Sequence, residues 1–336
     1  MRERASLRFA SALGLAVCLA AVPSCERPDR ESTGAKETPG GGAAPGGHRA
    51  PSISQISSAT FTGIYEEPIR LEDGRYEGKP KSAHQDSEPV LELVMDLYAA
   101  GDLDGDGREE AAVLLQEASG DDKGYLYLAA VGAWQGAPVT LGAQLVGGGV
   151  QVRSLTIRDG KIRLALVEHG PGEPQCCPTW LATRQWTIRD GQLVELDSEE
   201  EGRLGIDAVA GRTWVLDGSA SGGAPGAAHP VTLRFEGDRV SGSAGCNDFS
   251  GKLTPDGPGV FDLGPLRVTR RACEPRVMEA EERFLGELRA ASRYGFRMGR
   301  LVLSAAGPGS ETLLFKAEAE GTASSARSVE TGPPSR

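Results

Sequence analysis

The sequence predicts an α+β fold, mostly antiparallel β, made of two β-rich domains preceded by a disordered tether. Short stretches of alternating apolar and polar residues recur between Asp-Gly turns, and this alternation is typical of half-buried strands. One amphipathic helical pattern begins at Pro275. The 336 residues include 46 Gly and 21 Pro with only 5% aromatic residues, a composition that favours many turns and short strands.

The chain begins with a predicted secretory signal, residues 1–24. Three arginines within the first eight residues precede an apolar run at 9–22, and Cys25 follows Val-Pro-Ser. A basic start, a short apolar run and small residues before the cut define such a signal, and a cysteine directly after the cut resembles a lipobox. The apolar run is shorter than the roughly 20 residues that span a bilayer. We predict that Cys25 is lipidated; ordinary signal cleavage that leaves a stray thiol is the alternative.

The expected location is therefore extracytoplasmic, at a bacterial membrane, and the outer membrane rather than the inner one. The net charge is −11, and residues 1–24 carry three Arg and one Glu, so the mature chain carries −13. A chain this acidic repels phosphate backbones, which argues against nucleic acid as a partner. The expected partners are the membrane, through the lipid anchor, and an envelope protein or ligand that the sequence does not identify.

Composition divides the rest of the chain. Residues 25–52 are rich in Pro, Gly, Ala, Ser and charge without apolar periodicity, which predicts a disordered tether. Residues 319–336 resemble them and predict a disordered tail. Two domains, 53–197 and 204–318, lie between, joined by an acidic bridge at 198–203.

The first domain is predicted to be antiparallel β with little helix. Alternating stretches at 150–155 and 162–167 flank Asp159-Gly160, and further Asp-Gly pairs begin at Asp73 and Asp190. Asp-Gly between alternating stretches indicates a hairpin because both residues tolerate positive φ.

The sharpest chemical motif follows residue 101. Acids stand at loop positions 1, 3, 5 and 9, Gly107 permits a sharp turn, and position 7 offers a backbone carbonyl, a pattern of hard oxygens that suits Ca²⁺. The loop resembles the calcium loops of FG-GAP repeats and dockerins, but Val113 stands where an EF-hand has its bidentate Glu. We predict a structural Ca²⁺ site; a plain acidic turn is the alternative. The expected ligands are Asp102, Asp104, Asp106, Arg108 and Glu110.

Four cysteines remain in the mature chain besides Cys25: Cys176, Cys177, Cys246 and Cys273. An even number in an oxidising compartment favours disulfides, and the absence of C-x-x-C spacing argues against zinc. Cys176 and Cys177 are adjacent in a Pro-rich loop, where we favour a vicinal disulfide. A pair of reduced thiols and an ordinary loop staple are the alternatives.

The second domain alternates strands with one helix. The helix begins at Pro275, a residue suited to a first turn, and Val277, Phe284 and Leu288 recur on one face. The expected strands lie at 213–216, 231–235, 239–244, 260–263, 294–298, 301–303 and 312–315.

These residues resemble the META domain, the HslJ-like family of bacterial envelope proteins. The resemblance rests on Trp214-Val-Leu, Gly-Cys-Asn at 245–247, Ala-Cys at 272–273 and the helix at 278–285, and it covers about a third of the chain. It implies a curled antiparallel sheet packed on one helix, association with the envelope, stress or antibiotic tolerance, and no established catalytic activity.

Cys246 and Cys273 occupy the two cysteine positions of that family. One follows a strand and the other precedes the helix, so a bridge would clip the helix to the sheet. Closing a loop of this size contributes about 3 kcal/mol in the chain-entropy model. A reactive thiol pair is the alternative.

The functional prediction is a non-catalytic cell-envelope lipoprotein, not an enzyme, acting in envelope maintenance or stress tolerance or as an interaction module. The motifs G-x-S-x-G and H-E-x-x-H are absent from the sequence. The alternative is an extracytoplasmic hydrolase that uses acidic residues of the first domain. Converging carboxylates in a deep cleft would favour the hydrolase, and carboxylates confined to a shallow loop would favour the lipoprotein.

Overall fold

Strand pairing is antiparallel in every sheet of the described structure. The computed structural model describes residues 49–78, 89–118, 124–173, 177–219, 230–307 and 312–318. The predicted signal with Cys25, residues 26–48 of the predicted tether, Cys176 and the predicted tail lie outside these ranges, and the predicted domain boundaries stay predictions. Within the described ranges, no helix is both long enough and apolar enough to cross a membrane.

The part of the chain before residue 204 forms three sheets. β1 pairs with β2, a five-stranded sheet has the order β3-β4-β5-β6-β7, and another has the order β11-β10-β9-β8 with β12 also paired to β10. The elements are α1 (Ile53–Ile56), β1 (Thr60–Phe61), β2 (Ile69–Arg70), β3 (Arg75–Glu77), β4 (Val90–Gly101), β5 (Glu110–Ala118), β6 (Tyr125–Trp134), β7 (Ala137–Gly148), β8 (Gln151–Arg158), β9 (Lys161–Glu168), β10 (Trp180–Arg189), β11 (Gln192–Glu195) and β12 (Glu199–Arg203).

Strand β5 is the centre of this part because both of its faces are buried. Ala112 and Leu114 face a hydrophobic cluster built with β6, β8, β9 and β10. Val113 and Leu115 face a second cluster, which includes Phe61 and other residues of the segment before β3. Burial on both faces explains why β5 has a continuous apolar stretch instead of an alternating one.

The part of the chain after residue 204 forms one nine-stranded sheet of order β17-β16-β15-β14-β13-β21-β20-β19, with β18 also paired to β16. A short 3₁₀ turn at Ile206–Ala208 precedes it. The elements are β13 (Thr213–Ser219), β14 (Thr232–Glu236), β15 (Arg239–Ser243), β16 (Asp248–Pro255), β17 (Phe261–Leu263), β18 (Arg267–Val268), α2 (Pro275–Ala290), β19 (Arg293–Arg297), β20 (Arg300–Ser304) and β21 (Thr312–Ala317).

This sheet curls until its two ends meet. Val260 forms an isolated antiparallel bridge with Arg293, and the Phe261 amide donates to the Ser292 carbonyl at 2.9 Å. The sheet is therefore close to a barrel, and α2 packs against it. The Phe284 ring lies 5.8 Å from that of Phe249, so the apolar face of α2 lies in the same core as the strands.

The predicted α+β class is wrong: the fold is mostly antiparallel β, with curled sheets and a near-barrel. Among the described residues, α-helix is confined to α1 and α2. The physical reason lies in what covers the sheets. The two five-stranded sheets bury their inner faces against each other, and the second half buries its core largely by curling, so helices cover little of the apolar surface.

Three predicted Asp-Gly turns are present. Asp159 and Gly160 have φ of 52° and 68°, and they join β8 to β9, where Arg158 lies opposite Lys161. Asp73-Gly74 and Asp190-Gly191 adopt the same conformation.

The acidic bridge at 198–203 is largely a strand, β12, and not a free connector. Arg153 donates to Glu201 at 2.9 Å, and Arg163 lies 3.5 Å from Glu199. These arginines offset the like charges of the glutamates, which allows the segment to pair with β10.

The two halves of the chain contact each other through β8 and the β19–β20 hairpin. The Phe296 amide donates to the Gln151 side chain at 2.8 Å, and the Gly299 amide donates to the Val152 carbonyl at 2.9 Å. Arg300 donates to both Asp96 and Asp217 at 2.6 Å. A Cβ at Gly295 would lie 2.7 Å from the Gln151 side chain, so a larger residue here would displace Gln151 from its bond to Phe296.

Candidate functional site

The acidic loop, residues 102–109, connects β4 to β5. Gly105 and Gly107 adopt φ of 82° and 83°, in the left-handed region that glycine enters without steric cost. The turn brings three predicted ligands together. One carboxylate oxygen from each of Asp102, Asp104 and Asp106 lies within 4.8 Å of the other two.

Backbone amides of the loop hold these carboxylates. The two oxygens of Asp102 accept from the amides of Gly105 and Gly107, at 2.7 and 3.0 Å. Asp104 accepts from the Asp106 amide at 3.1 Å, and Asp106 accepts from the Arg108 amide at 2.7 Å. A carboxylate has about four acceptor positions, so each aspartate keeps capacity for a cation.

Glu110, another predicted ligand, lies apart from this group. Its side chain is buried and accepts from the Leu103 amide at 2.8 Å. Burial raises the pKa of Glu110; the nearby aspartate charges raise it further, whereas the Leu103 bond lowers it. Glu110, the first residue of β5, therefore ties the end of the acidic loop to Leu103 near its start. Arg108, expected to offer its carbonyl, also has its guanidinium 4.0 Å from Asp106.

The donor set of the acidic loop fits a hard divalent cation. Ca²⁺ takes about six to eight oxygen ligands, with carboxylates and carbonyls preferred. Asp102, Asp104 and Asp106 would hold it, and their charges repel one another when no cation lies between them. Glu110 would join them only by giving up its bond to Leu103.

The second group of residues predicted from the sequence is the cysteine pair, Cys246 and Cys273. The two cysteines form a disulfide with their Cα atoms 6.0 Å apart. Cys246 stands two residues before β16 and Cys273 two residues before α2. The bridge that the META resemblance implies is therefore present, and it clips the helix to the sheet.

Next to the disulfide lies a buried carboxylate, Glu281, which is not among the site residues predicted from the sequence. Glu281 is 8% exposed and Asn247 is 4% exposed. Glu281 accepts from the backbone and side-chain nitrogens of Asn247 at 2.6 and 2.8 Å. The Asn247 side-chain oxygen accepts from Thr269 Oγ1 at 2.9 Å and from the Arg271 amide at 2.6 Å.

A sequence signal for this network existed. Glu281 shares the i, i+3, i+4, i+7 face of α2 with Phe284, Leu285 and Leu288, so it lies in an apolar stripe. A charged residue in such a stripe predicts a buried partner. Asn247, the asparagine of the Gly-Cys-Asn motif, is that partner.

The loop with the adjacent cysteines is described only in part. Cys177 is disulfide-bonded, and its predicted partner Cys176 lies outside the described residues, so the vicinal pairing stays a prediction. Glu173 accepts from the amides of Gly170 and Thr179 at 3.1 Å and from the Thr179 hydroxyl. The hydroxyl bond is the main cause that lowers the pKa of Glu173.

Solved structures match about a third of the chain, and two of them are NMR structures. One is an NMR structure of a protein from Burkholderia xenovorans, 27% identical, with a TM-score of 0.29, covering 33% of this chain and 85% of that chain. The other NMR structure is 24% identical, with a TM-score of 0.28, covering 33% of this chain and 92% of that chain.

No curated protein matches the chain. A family model does match, at residues 207–320, and its description is META domain. This range contains the disulfide, the Asn247–Glu281 network and α2. The resemblance to the META domain is therefore confirmed for residues 207–320.

Proposed function

We propose that this protein is a non-catalytic lipoprotein of the cell envelope that acts in envelope maintenance or stress tolerance, as an interaction module. The observation that carries the proposal is the match of residues 207–320 to the META domain, a family whose members are envelope proteins. The basic start, the apolar run and Cys25 support an extracytoplasmic, membrane-anchored location.

The anchor would hold the folded part near the membrane without burying it. Cys25 would carry the lipid, and each buried methylene contributes about 0.8 kcal/mol to membrane binding. The linker predicted from composition before the folded part would leave that part free to meet an envelope partner.

The acidic loop supports a binding role better than a catalytic one. Residues 104–109 are exposed, and the three converging carboxylates share one cation-sized point. We assign them a structural Ca²⁺, which would hold β4 and β5 together at their turn. Carboxylate oxygens that converge on one point suit a cation, whereas glycoside hydrolysis uses two carboxylates that flank the scissile bond.

The experiment that tests the proposal is metabolic labelling with a palmitate analogue in the bacterial host. Wild type and Cys18→Ser should label and partition with membranes, because Cys18 leaves with the signal. Cys25→Ser should lose both properties. A deletion strain should become sensitive to envelope stress, and the wild-type gene, but not Cys25→Ser, should restore tolerance. Unchanged labelling and partitioning of Cys25→Ser would refute the anchor, and full rescue by it would refute the need for anchoring.

A further inference from the structure

The acidity of this chain is concentrated in its first half. Residues 53–197 carry 12 Lys and Arg against 23 Asp and Glu, whereas residues 204–318 carry 14 of each. The repulsion of phosphate groups expected from the net charge therefore applies to the first half. Residues 204–318, called the META part below, are neutral overall, so local clusters of charge determine which charged groups they attract.

One cluster of basic residues in the META part lines a concave surface. A pocket of about 280 Å³ opens on the outer face of the curled sheet. Its charged and hydroxyl-bearing lining residues come from β15, β16, β18 and the turn before β15, and its rim includes a proline. The lining residues used here are Asp238, Arg239, Ser250, Lys252, Pro265 and Arg267.

Strand register puts the three cations on one face. Arg239 lies directly opposite Lys252, and Arg267 lies directly opposite Ser250. Residues directly opposite in an antiparallel pair have Cα atoms about 5 Å apart and point to the same face. Ser250 and Lys252 are two residues apart on β16, about 7 Å, and share that face. The side chains of all three cations therefore reach one small volume.

These cations have no carboxylate partner among the described residues. Within the described ranges none of the three forms an ion pair, although their neighbours on the sheet do: Arg234 pairs with Glu236 at 3.4 Å, and Arg271 pairs with Asp248 at 2.7 Å. Like charges directly opposite in a sheet are destabilising. Asp238 contributes one negative charge, so the pocket keeps an excess of positive charge.

The pocket has a wall because the chain bulges beside β16. Between β17 and β18, residues 264–266 leave the sheet ladder, and the Gly264 amide donates to the Lys252 carbonyl at 2.9 Å. A Cβ at Gly251 would lie 2.6 Å from the Leu266 side chain. Glycine at this position lets Leu266 pack under the strand while Pro265 stands at the pocket rim.

From this geometry we infer that the pocket binds a phosphate group, either free or as the headgroup of an anionic lipid. The arginine guanidinium groups match the geometry of two phosphate oxygens, Lys252 adds a compact charge, and the Ser250 hydroxyl can donate to a third oxygen. Binding would relieve the repulsion between Arg239 and Lys252. The inference does not depend on the anchor at Cys25.

The test uses inorganic phosphate on the purified full chain in calcium-free buffer, with ionic strength held constant by NaCl. The thermal midpoint should rise with phosphate and saturate, because a ligand that binds the folded state stabilises it. Lys252→Gln should weaken the apparent affinity about threefold to tenfold, in the range of an exposed charged contact. The triple variant Arg239→Gln, Lys252→Gln, Arg267→Gln should lose the saturable rise.

Arg276→Gln is the matched control, because Arg276 is exposed and lies outside the pocket lining. It should bind phosphate like wild type. The triple variant should not be less stable than wild type without phosphate, since it loses a like-charge pair. A response that does not saturate, or equal affinities of wild type and the triple variant, would overturn the site.

Vesicles distinguish the two sources of phosphate. Non-lipidated Cys25→Ser protein should sediment with vesicles that contain phosphatidic acid but not with pure phosphatidylcholine, and inorganic phosphate should release it, if the site takes a lipid headgroup. Saturable phosphate binding without sedimentation would assign the site to free phosphate. Sedimentation that the triple variant retains would exclude the pocket as the membrane contact.

Discussion

The acidic loop precedes β5 and the segment between Cys246 and Cys273 precedes α2, but the two are held in different ways. In the acidic loop, short bonds from neighbouring amides orient three carboxylates that repel one another. In the Cys246–Cys273 segment, a disulfide and a buried carboxylate bind residues that are far apart in the sequence.

The two regions therefore differ in what stabilises them. The Cys246–Cys273 segment is stabilised unconditionally, since a covalent bridge and the fully paired Glu281 do not depend on a ligand. The stability of the acidic loop would depend on the proposed cation, because its three carboxylates repel one another. Three experiments test this contrast, and two more test the contact between the two halves of the chain, which is stabilised by ion pairs instead.

The largest effect should come from removing the bridge. Cys246→Ala with Cys273→Ala should lower the free energy of unfolding by about 3–4 kcal/mol, because the bridge closes a loop of 27 residues. Denaturant unfolding of the full chain measures this. Reduction of wild type is a poorer test, since Cys177 is also disulfide-bonded. A loss below about 1 kcal/mol would contradict the entropic role of the bridge.

Removing the buried carboxylate should have the next largest effect. Glu281→Ala should cost about 2–3 kcal/mol, because the backbone and side-chain nitrogens of Asn247 lose their acceptor while buried. Glu281→Gln keeps one acceptor oxygen and should cost less. The exposed neighbour supplies the control: Glu282→Gln should change the free energy of unfolding by less than about 0.5 kcal/mol. Equal effects at positions 281 and 282 would show that the network contributes nothing.

Calcium should raise the stability of wild type by about 1–3 kcal/mol at 10–100 times its dissociation constant. Extracellular modules bind with constants of about 10⁻⁴–10⁻³ M, so millimolar calcium is the proper range. Asp102→Ala with Asp106→Ala should erase the response and leave the apo protein no less stable. Glu66→Ala with Glu67→Ala removes equal charge at exposed positions and should keep the response. A flat calorimetric titration of chelator-treated wild type would leave the acidic loop as a plain turn.

The smallest effect concerns the contact between the two halves. Arg300→Met should cost about 1–2 kcal/mol, because its guanidinium, 22% exposed, bonds both Asp96 and Asp217. Arg297→Met, on the same hairpin but exposed, should not lower stability. Equal losses in the two variants would show that the ion pairs do not stabilise the contact.

The pH dependence of that variant tests the same contact. Burial alone would raise the pKa of Asp217, but the bonds from Lys316 and Arg300 outweigh it and hold the pKa below 3.8. A carboxylate whose pKa is lower in the folded state stabilises the protein at pH values above its unfolded-state pKa. This stabilisation is lost as the pH falls through the folded-state pKa. Wild type should therefore lose more stability than Arg300→Met between pH 5 and pH 2.

Local features were predictable because a few neighbouring residues determine them. The Asp-Gly turns follow from the tolerance of both residues for positive φ, and α2 spans Pro275–Ala290 as its proline and apolar periodicity predict. The same turn at Gln135-Gly136 was not singled out, since its first residue is not Asp. The cysteine bridge followed from the family resemblance.

Strands that depend on distant partners were harder to predict. β16 (Asp248–Pro255) is absent from the expected strands, yet it pairs with β15, β17 and β18. β12 was missed because its glutamates suggested a solvated connector. Its pairing depends on Arg153, more than 40 residues away.

Residues close together in the sequence specify the Asp-Gly turns, the amphipathic helix and the acidic motif, because each depends on chemistry within a short stretch of chain. The fold class, the burial of Glu281 and the bond between Glu110 and the Leu103 amide became clear from the folded chain alone. These depend on which surfaces cover one another, and contacts such as Arg300 with Asp96 join residues 204 positions apart. Burial free energy is non-directional, so the local pattern alone does not specify which distant surface supplies it.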